Sequence, residues 1–265
     1  MLFRSQTLAL DPRNTLWLAK AAETYAWLRQ FSAALKTYDR VLDLVPNDLD
    51  TVASEAAIYQ AEGNLEQAGK LLAGVNAQTP SLAAFLPKIS QLFLERHFDE
   101  VIRLIHSRLE SRDLPDFERL FEPVFLVLAQ KYAGDIAGAL VTAKQMLGPL
   151  ETFGKKAPDT PFFALGLSLI HAVLGEKDTA MKEAERAITL LPSEKDAVDG
   201  PTYEEHLASI EAMLGEKDRA IPRLQRLLAI PYSNCVTPAL LRLDPKWDPL
   251  RDDPRFQKLC EEKRP

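Results

Sequence analysis

Three prolines, Pro12, Pro46 and Pro80, stand 34 residues apart, and the residues between them keep step: Tyr25 recurs as Tyr59, Ala22 as Ala56, and Ala34 as Ala68. A fixed period of that length constrains the chain more than any other feature. A unit this short cannot bury its own apolar face, so units must stack and share a continuous core. The expectation is an all-α solenoid, an architecture that mostly binds other proteins and rarely catalyses.

The clearest unit runs from Thr15 to Pro46. Leu18, Ala21, Ala22 and Tyr25 mark one helix face by their 3.6-residue period, and Phe31, Ala34, Leu35, Tyr38, Val41 and Leu42 mark a second. The break falls at Arg29-Gln30, and Pro46-Asn47-Asp48 stops the second helix and caps the next. Ala22 and Ala34 let the two helices approach closely, with Tyr25 and Tyr38 filling the space beside them. The second unit, Leu49 to Leu82, repeats this with a Gly63-Asn64 turn. A third begins near Ala83, turns at Arg96-His97, and carries Pro87 where a helix interior is expected, so Pro87 marks a first turn or a kink. The fourth turns at Gly134-Asp135 and is followed by a loop near 153–158. The fifth and sixth share Leu-Gly-Glu-Lys-Asp at 174–178 and 214–218; their spacing of 40 places a six-residue insertion in Ser193 to Gly200.

This pattern resembles the tetratricopeptide repeat: helix, turn, helix, small residues at the eighth and twentieth positions, and proline near the thirty-second. The resemblance implies an all-α, right-handed superhelical solenoid of antiparallel helix pairs. About six pairs are expected over 15–232, with a C-terminal capping segment over 233–265. Residues 1–14 resemble the second helix of an incomplete leading repeat. That predicts self-association through the N-terminal end, and a chain that is a piece of a longer protein or has an artificial start at Met1.

The string from Thr237 to Leu259 holds three Asp-Pro pairs, at 244–245, 248–249 and 253–254, which signal turns or helix starts. Leu241, Leu243, Trp247, Leu250, Phe256 and Leu259 give it an apolar side, as a lid on the last unit would need. About 20 residues here resemble the closing segment of bacterial repeat regions that follow a signalling domain, such as a serine/threonine kinase, a nucleotide cyclase or a winged-helix regulator. None of those domains is recognisable in this sequence.

A net charge of -6 argues against broad nucleic-acid binding, which leans on basic surfaces. No apolar run reaches membrane-spanning length, and Met1 to Gln6 lacks the pattern of a signal peptide. Cys235 and Cys260 match no zinc or redox spacing, which fits a reduced, cytoplasmic chain. His97, His106, His171 and His206 are scattered, without HExxH, so no metal or other cofactor is expected. Gly63 to Lys70 has the wrong glycine spacing for a phosphate loop, and no GxSxG occurs. Carboxylate pairs such as Glu204-Glu205 read as helix surface. With no catalytic constellation, the expectation is a non-enzyme.

In the tetratricopeptide family the first helix of each pair lines a concave groove. Carrying over its contact positions gives Phe121, Phe125, Leu128 and Tyr132 in the fourth unit, Phe162, Leu165 and Leu169 in the fifth, and Trp27 in the first. Such an apolar face meets either a protein or peptide partner or an internal cover. The candidate covers are the 153–160 loop, the 193–200 insertion and a tightly wound superhelix. An open groove would take an apolar helix or extended peptide. Some family members clamp chaperone C-termini with basic residues and asparagine. Here Ala19, Glu23, Asp50 and Ser54 hold the corresponding positions, and Glu23 would repel a carboxylate. The alternative function is a ligand-sensing module coupled to a fused output domain.

Overall fold

Six turns of one design organise the chain. The structure is a computed structural model and describes residues 11–261; the expected leading helix over 1–14 lies almost wholly outside them. At each turn one residue adopts positive φ: Arg29, Gly63, Arg96, Gly134, Gly175 and Gly215. The amide of the residue that follows then reaches back five residues along the preceding helix. These bonds are Gln30 to Tyr25, Asn64 to Tyr59, His97 to Leu92, Asp135 to Gln130, Glu176 to His171 and Glu216 to Glu211, all 2.8–2.9 Å. This left-handed cap satisfies carbonyls that a helix end would otherwise leave unpaired.

The turns separate helix pairs. Unit 1 is α1 (Thr15–Trp27) and α2 (Phe31–Leu44); unit 2 is α3 (Leu49–Glu62) and α4 (Leu65–Leu71), which runs into a 3₁₀ turn. Unit 3 is α5 (Leu82–Leu94) and α6 (Phe98–Leu109). In unit 4 the first helix is broken into α7 (Asp116–Phe121) and α8 (Pro123–Tyr132), followed by α9 (Ile136–Lys156). Units 5 and 6 are α10 (Pro161–Val173) with α11 (Lys177–Leu190), and α12 (Gly200–Met213) with α13 (Lys217–Leu228). The chain closes with α14 (Pro238–Leu243), a 3₁₀ helix (Pro245–Leu250) and α15 (Pro254–Glu261). No strand occurs among the described residues.

Helix starts follow local chemistry. The side chains of Asn14, Asn64, Ser81, Asp135 and Thr237 each accept a first-turn amide, and Pro123, Pro161 and Pro201 stand at positions whose amide needs no helical partner. Pro87 lies inside α5; the carbonyl it leaves unpaired belongs to exposed Ala83, where water can reach it.

The stretch expected as a loop near 153–158 is helical as far as Lys156. It stays wound because Phe153 packs on Phe163, with ring centres 6.3 Å apart, and buried Gly154 lies against Phe163 and Leu167. The expected insertion is a loop between α11 and α12. Gly200 ends it because a Cβ there would stand 2.7 Å from the Ser193 Cα.

Each helix packs on its chain neighbours, as in an α-solenoid. The core is a relay of four apolar clusters, in units 1–2, 2–4, 4–6, and in unit 6 with the closing segment. One buried ionic knot crosses between units 3 and 4. Arg108 of α6 donates to Glu122 and Glu118 at 2.6 Å each, and to the carbonyls of Ala77 and Thr79. Its guanidinium also lies 4.1 Å from the centre of the Phe85 ring. Glu122 caps the break between α7 and α8, so the knot fixes the angle at which unit 4 begins.

Candidate functional site

The expected groove residues fall into three sets. Phe121, at the end of α7, meets Phe162 of α10 with ring centres 3.8 Å apart. Phe117 stacks parallel to Phe121 at 6.1 Å, and Phe125 of α8 meets it edge-on at 6.3 Å. Phe121, Phe125 and Phe162 are half-buried, while Phe117 keeps 43% of its surface in solvent. This aromatic cluster is the most open apolar part of the proposed surface. Gly166 lies beneath it, where a Cβ would stand in ordinary contact with the Phe121 ring, at 3.4 Å.

Leu128 and Leu169 belong instead to the core of units 4–6; Leu169 keeps only 7% of its surface. Leu165 is half-buried on α10, and Trp27, the last residue of α1, is half-buried too. Tyr132 forms a separate cluster with Phe93 and Phe98, at 6.1 and 5.8 Å. Its hydroxyl pKa is pushed up, first by burial and then by the negative charge of Asp244. Asp244 belongs to the closing segment, which is how a residue 112 positions away comes to bear on this tyrosine.

Sequence reasoning read that segment as a lid on the last unit and missed its return to the first three. It packs against α12 and α13 of unit 6, then crosses to the first three units. Arg29 donates to the carbonyls of Leu227 and Val236 at 3.2 Å each. Thr237 donates its hydroxyl to the Ala61 carbonyl at 2.6 Å. A Cβ on Gly63 would lie 3.2 Å from Ala239 and 3.7 Å from Leu243. Arg96 grips Asp248 with two bonds, of 2.8 and 2.7 Å. On the facing side Lys246 bonds Glu205 of α12 at 3.0 Å and lies 3.3 Å from Asp244. Burial works against the charge on Lys246, but Asp244 and Glu205 outweigh it and hold the ammonium pKa above its ordinary value. One signal for this cover was present in the sequence. Arg29 and Arg96 occupy turn positions where the other four units have glycine.

The interior also holds a serine–histidine contact. His206 Nε2 lies 2.8 Å from the Ser168 hydroxyl, which is 2.7 Å from the Leu165 carbonyl. The Leu165 carbonyl and the His206 ring are both within reach of the serine hydroxyl, and the tautomer of the ring sets which of them takes its proton. Burial, followed by the charge of Lys246, lowers the His206 pKa to about 4, so the ring is neutral near pH 7. His171 Nδ1 contacts Glu176 at 2.6 Å, an in-turn pair. Burial raises the thiol pKa of both Cys235 and Cys260, which favours the protonated, unreactive form. Among the described residues no group of three or more His, Cys, Asp or Glu side chains could hold a metal ion. No described helix is long and apolar enough to cross a membrane.

A scan against protein-family models finds no match to this chain, and a search of curated proteins finds none either.

Proposed function

We propose that the chain is a non-catalytic protein-interaction scaffold that takes an apolar peptide or helix against its fourth and fifth units. The observation that carries this reading is the aromatic cluster of Phe117, Phe121, Phe125 and Phe162, half open to solvent on an array of stacked helix pairs. Aromatic side chains give large contact area at little cost in rotamer freedom, and they dominate the energetics of interfaces. The finer reading is of tetratricopeptide-like units, antiparallel pairs winding right-handed, that serve as the repeat module of a cytoplasmic bacterial signalling or regulatory protein. The repeat period and the closing-segment resemblance support it.

The test is partner capture from extracts of the source cells with the full chain. Phe162→Ser should reduce capture of the partner at least about tenfold, the effect of losing one aromatic anchor, while far-UV circular dichroism stays unchanged. Capture that survives this substitution undiminished would sink the reading.

A further inference from the structure

The closing segment is bound along a row. Turn residues of successive units meet it in order: Arg29 holds Val236, Ala61 and Gly63 meet Thr237, Ala239 and Leu243, and Arg96 holds Asp248. Chain direction on the segment and unit order on the array run together, as they would for a peptide laid along a recognition track.

Two features set this contact apart from ordinary packing. The first is backbone conformation. Arg29 and Arg96 have φ of 57° and 62°, a region that L side chains adopt at a cost and glycine adopts freely. Four equivalent turns use glycine, so arginine is not needed for the turn itself. What the two arginines add is their hold on the segment, with Arg29 also bonding the Leu227 carbonyl of α13. The second feature is the division of apolar burial. Leu241, Trp247, Leu250, Phe256 and Leu259 are all buried in one cluster with α12 and α13. None of the segment's residues belongs to the two clusters that fill units 1 to 3. The segment is therefore fixed to unit 6 by its core, and to units 1–3 through polar bonds and a close approach at Gly63. The Arg96–Asp248 pair is also open to water, with 46% and 38% of the two side chains exposed. A competing carboxylate can reach it.

We propose that Arg29 and Arg96 are the catches of a releasable clasp: the segment stays on unit 6, lifts from the row of turns, and admits a peptide partner that presents a carboxylate to Arg96. Lifting would also uncover the Tyr132, Phe93 and Phe98 cluster beside the segment. This proposal rests on the scaffold reading for its partner, but not for its mechanics.

The first test is hydrogen exchange on the full chain, with no partner present. Arg29→Gly combined with Arg96→Gly keeps the turn chemistry of the other units. The amides of 237–250 should exchange about tenfold faster in this variant, with α12 and α13 unchanged. No acceleration would show that the arginines hold nothing, and equal acceleration of α12 and α13 would show that the closure is part of the global fold. Either result overturns the clasp.

The second test uses a synthetic peptide of residues 237–250 as probe, followed by fluorescence anisotropy. Full-length chain carrying Asp248→Asn should bind it at least tenfold more tightly than the unaltered chain, and the same peptide carrying Asp248→Asn should lose that preference. Equal binding to both chains, or binding to neither, overturns the carboxylate assignment. Because exchange is read without a partner, the clasp can fail while the aromatic surface stands. Capture that ignores Phe162→Ser would do the converse.

Discussion

Glu55 of α3 should make the fold weaken as pH rises from about 4.5 towards 7. Its side chain is 7% exposed, and its Oε1 has no hydrogen-bond partner. The carboxyl pKa is pushed from 4.5 up to about 7, first by burial and then by the nearby charge of Asp39. Between these two values the unfolded chain has lost its proton while the folded chain keeps it. Stability from this group is therefore full below about pH 4.5 and is lost progressively up to about pH 7. Each pH unit in that window corresponds to about 1.4 kcal/mol, so the loss amounts to about 3–4 kcal/mol. Glu55→Gln keeps the shape and removes the ionisation. In urea titrations near pH 5 the variant should match the unaltered chain to within about 1 kcal/mol, the cost of an imperfectly paired amide. Near pH 8 it should be the more stable by about 2 kcal/mol, with unchanged m-values. A stability difference that is the same at both pH values would refute the reasoning, because it would mean that Glu55 ionises alike in both states.

Further substitutions probe the frame around the site. Arg108→Met strands Glu118 and Glu122 in the interior and should cost about 3–5 kcal/mol by chemical denaturation; adding Glu122→Gln should recover more than about 1 kcal/mol of it, since the two residues are directly bonded. Gly200→Ala drives a Cβ against the Ser193 backbone and should cost about 1–3 kcal/mol, read as a lower melting temperature; an unchanged melt would show that the 191–199 loop gives way freely.

The helix pairs and their turns could be read from the sequence because each is set locally. Glycine or a tolerated substitute supplies the positive φ, alanines mark the close approaches, and the apolar period marks the buried faces. The broken first helix of unit 4 was harder to read. It depends on Arg108 reaching Glu122 from another helix, a contact on which apolar period is silent. Glycine, lysines and proline signal a loop over 153–158, whereas contact with α10 keeps its first four residues helical. The residues expected to line a groove are apolar, but period alone does not separate Phe162, at a half-open edge, from Leu169, inside the core. The closing segment was legible as a lid for its own neighbour. Its return to units 1–3 was not, because a bond from Arg29 to Val236 spans 207 residues and leaves no periodic trace.

That long reach also orders events during synthesis. In an open stack of repeats, each unit is complete once its successor has folded onto it. Here Arg29 must wait for Val236. At bacterial or eukaryotic elongation rates that delay is roughly 10–40 s, long beside the folding of a helix pair. Throughout that time the first three units stand folded with their row of turns uncovered. A nascent chain of this protein is thus open to peptide-binding chaperones or early partners along a face that the finished molecule keeps closed, and the arrival of the closing segment ends that exposure.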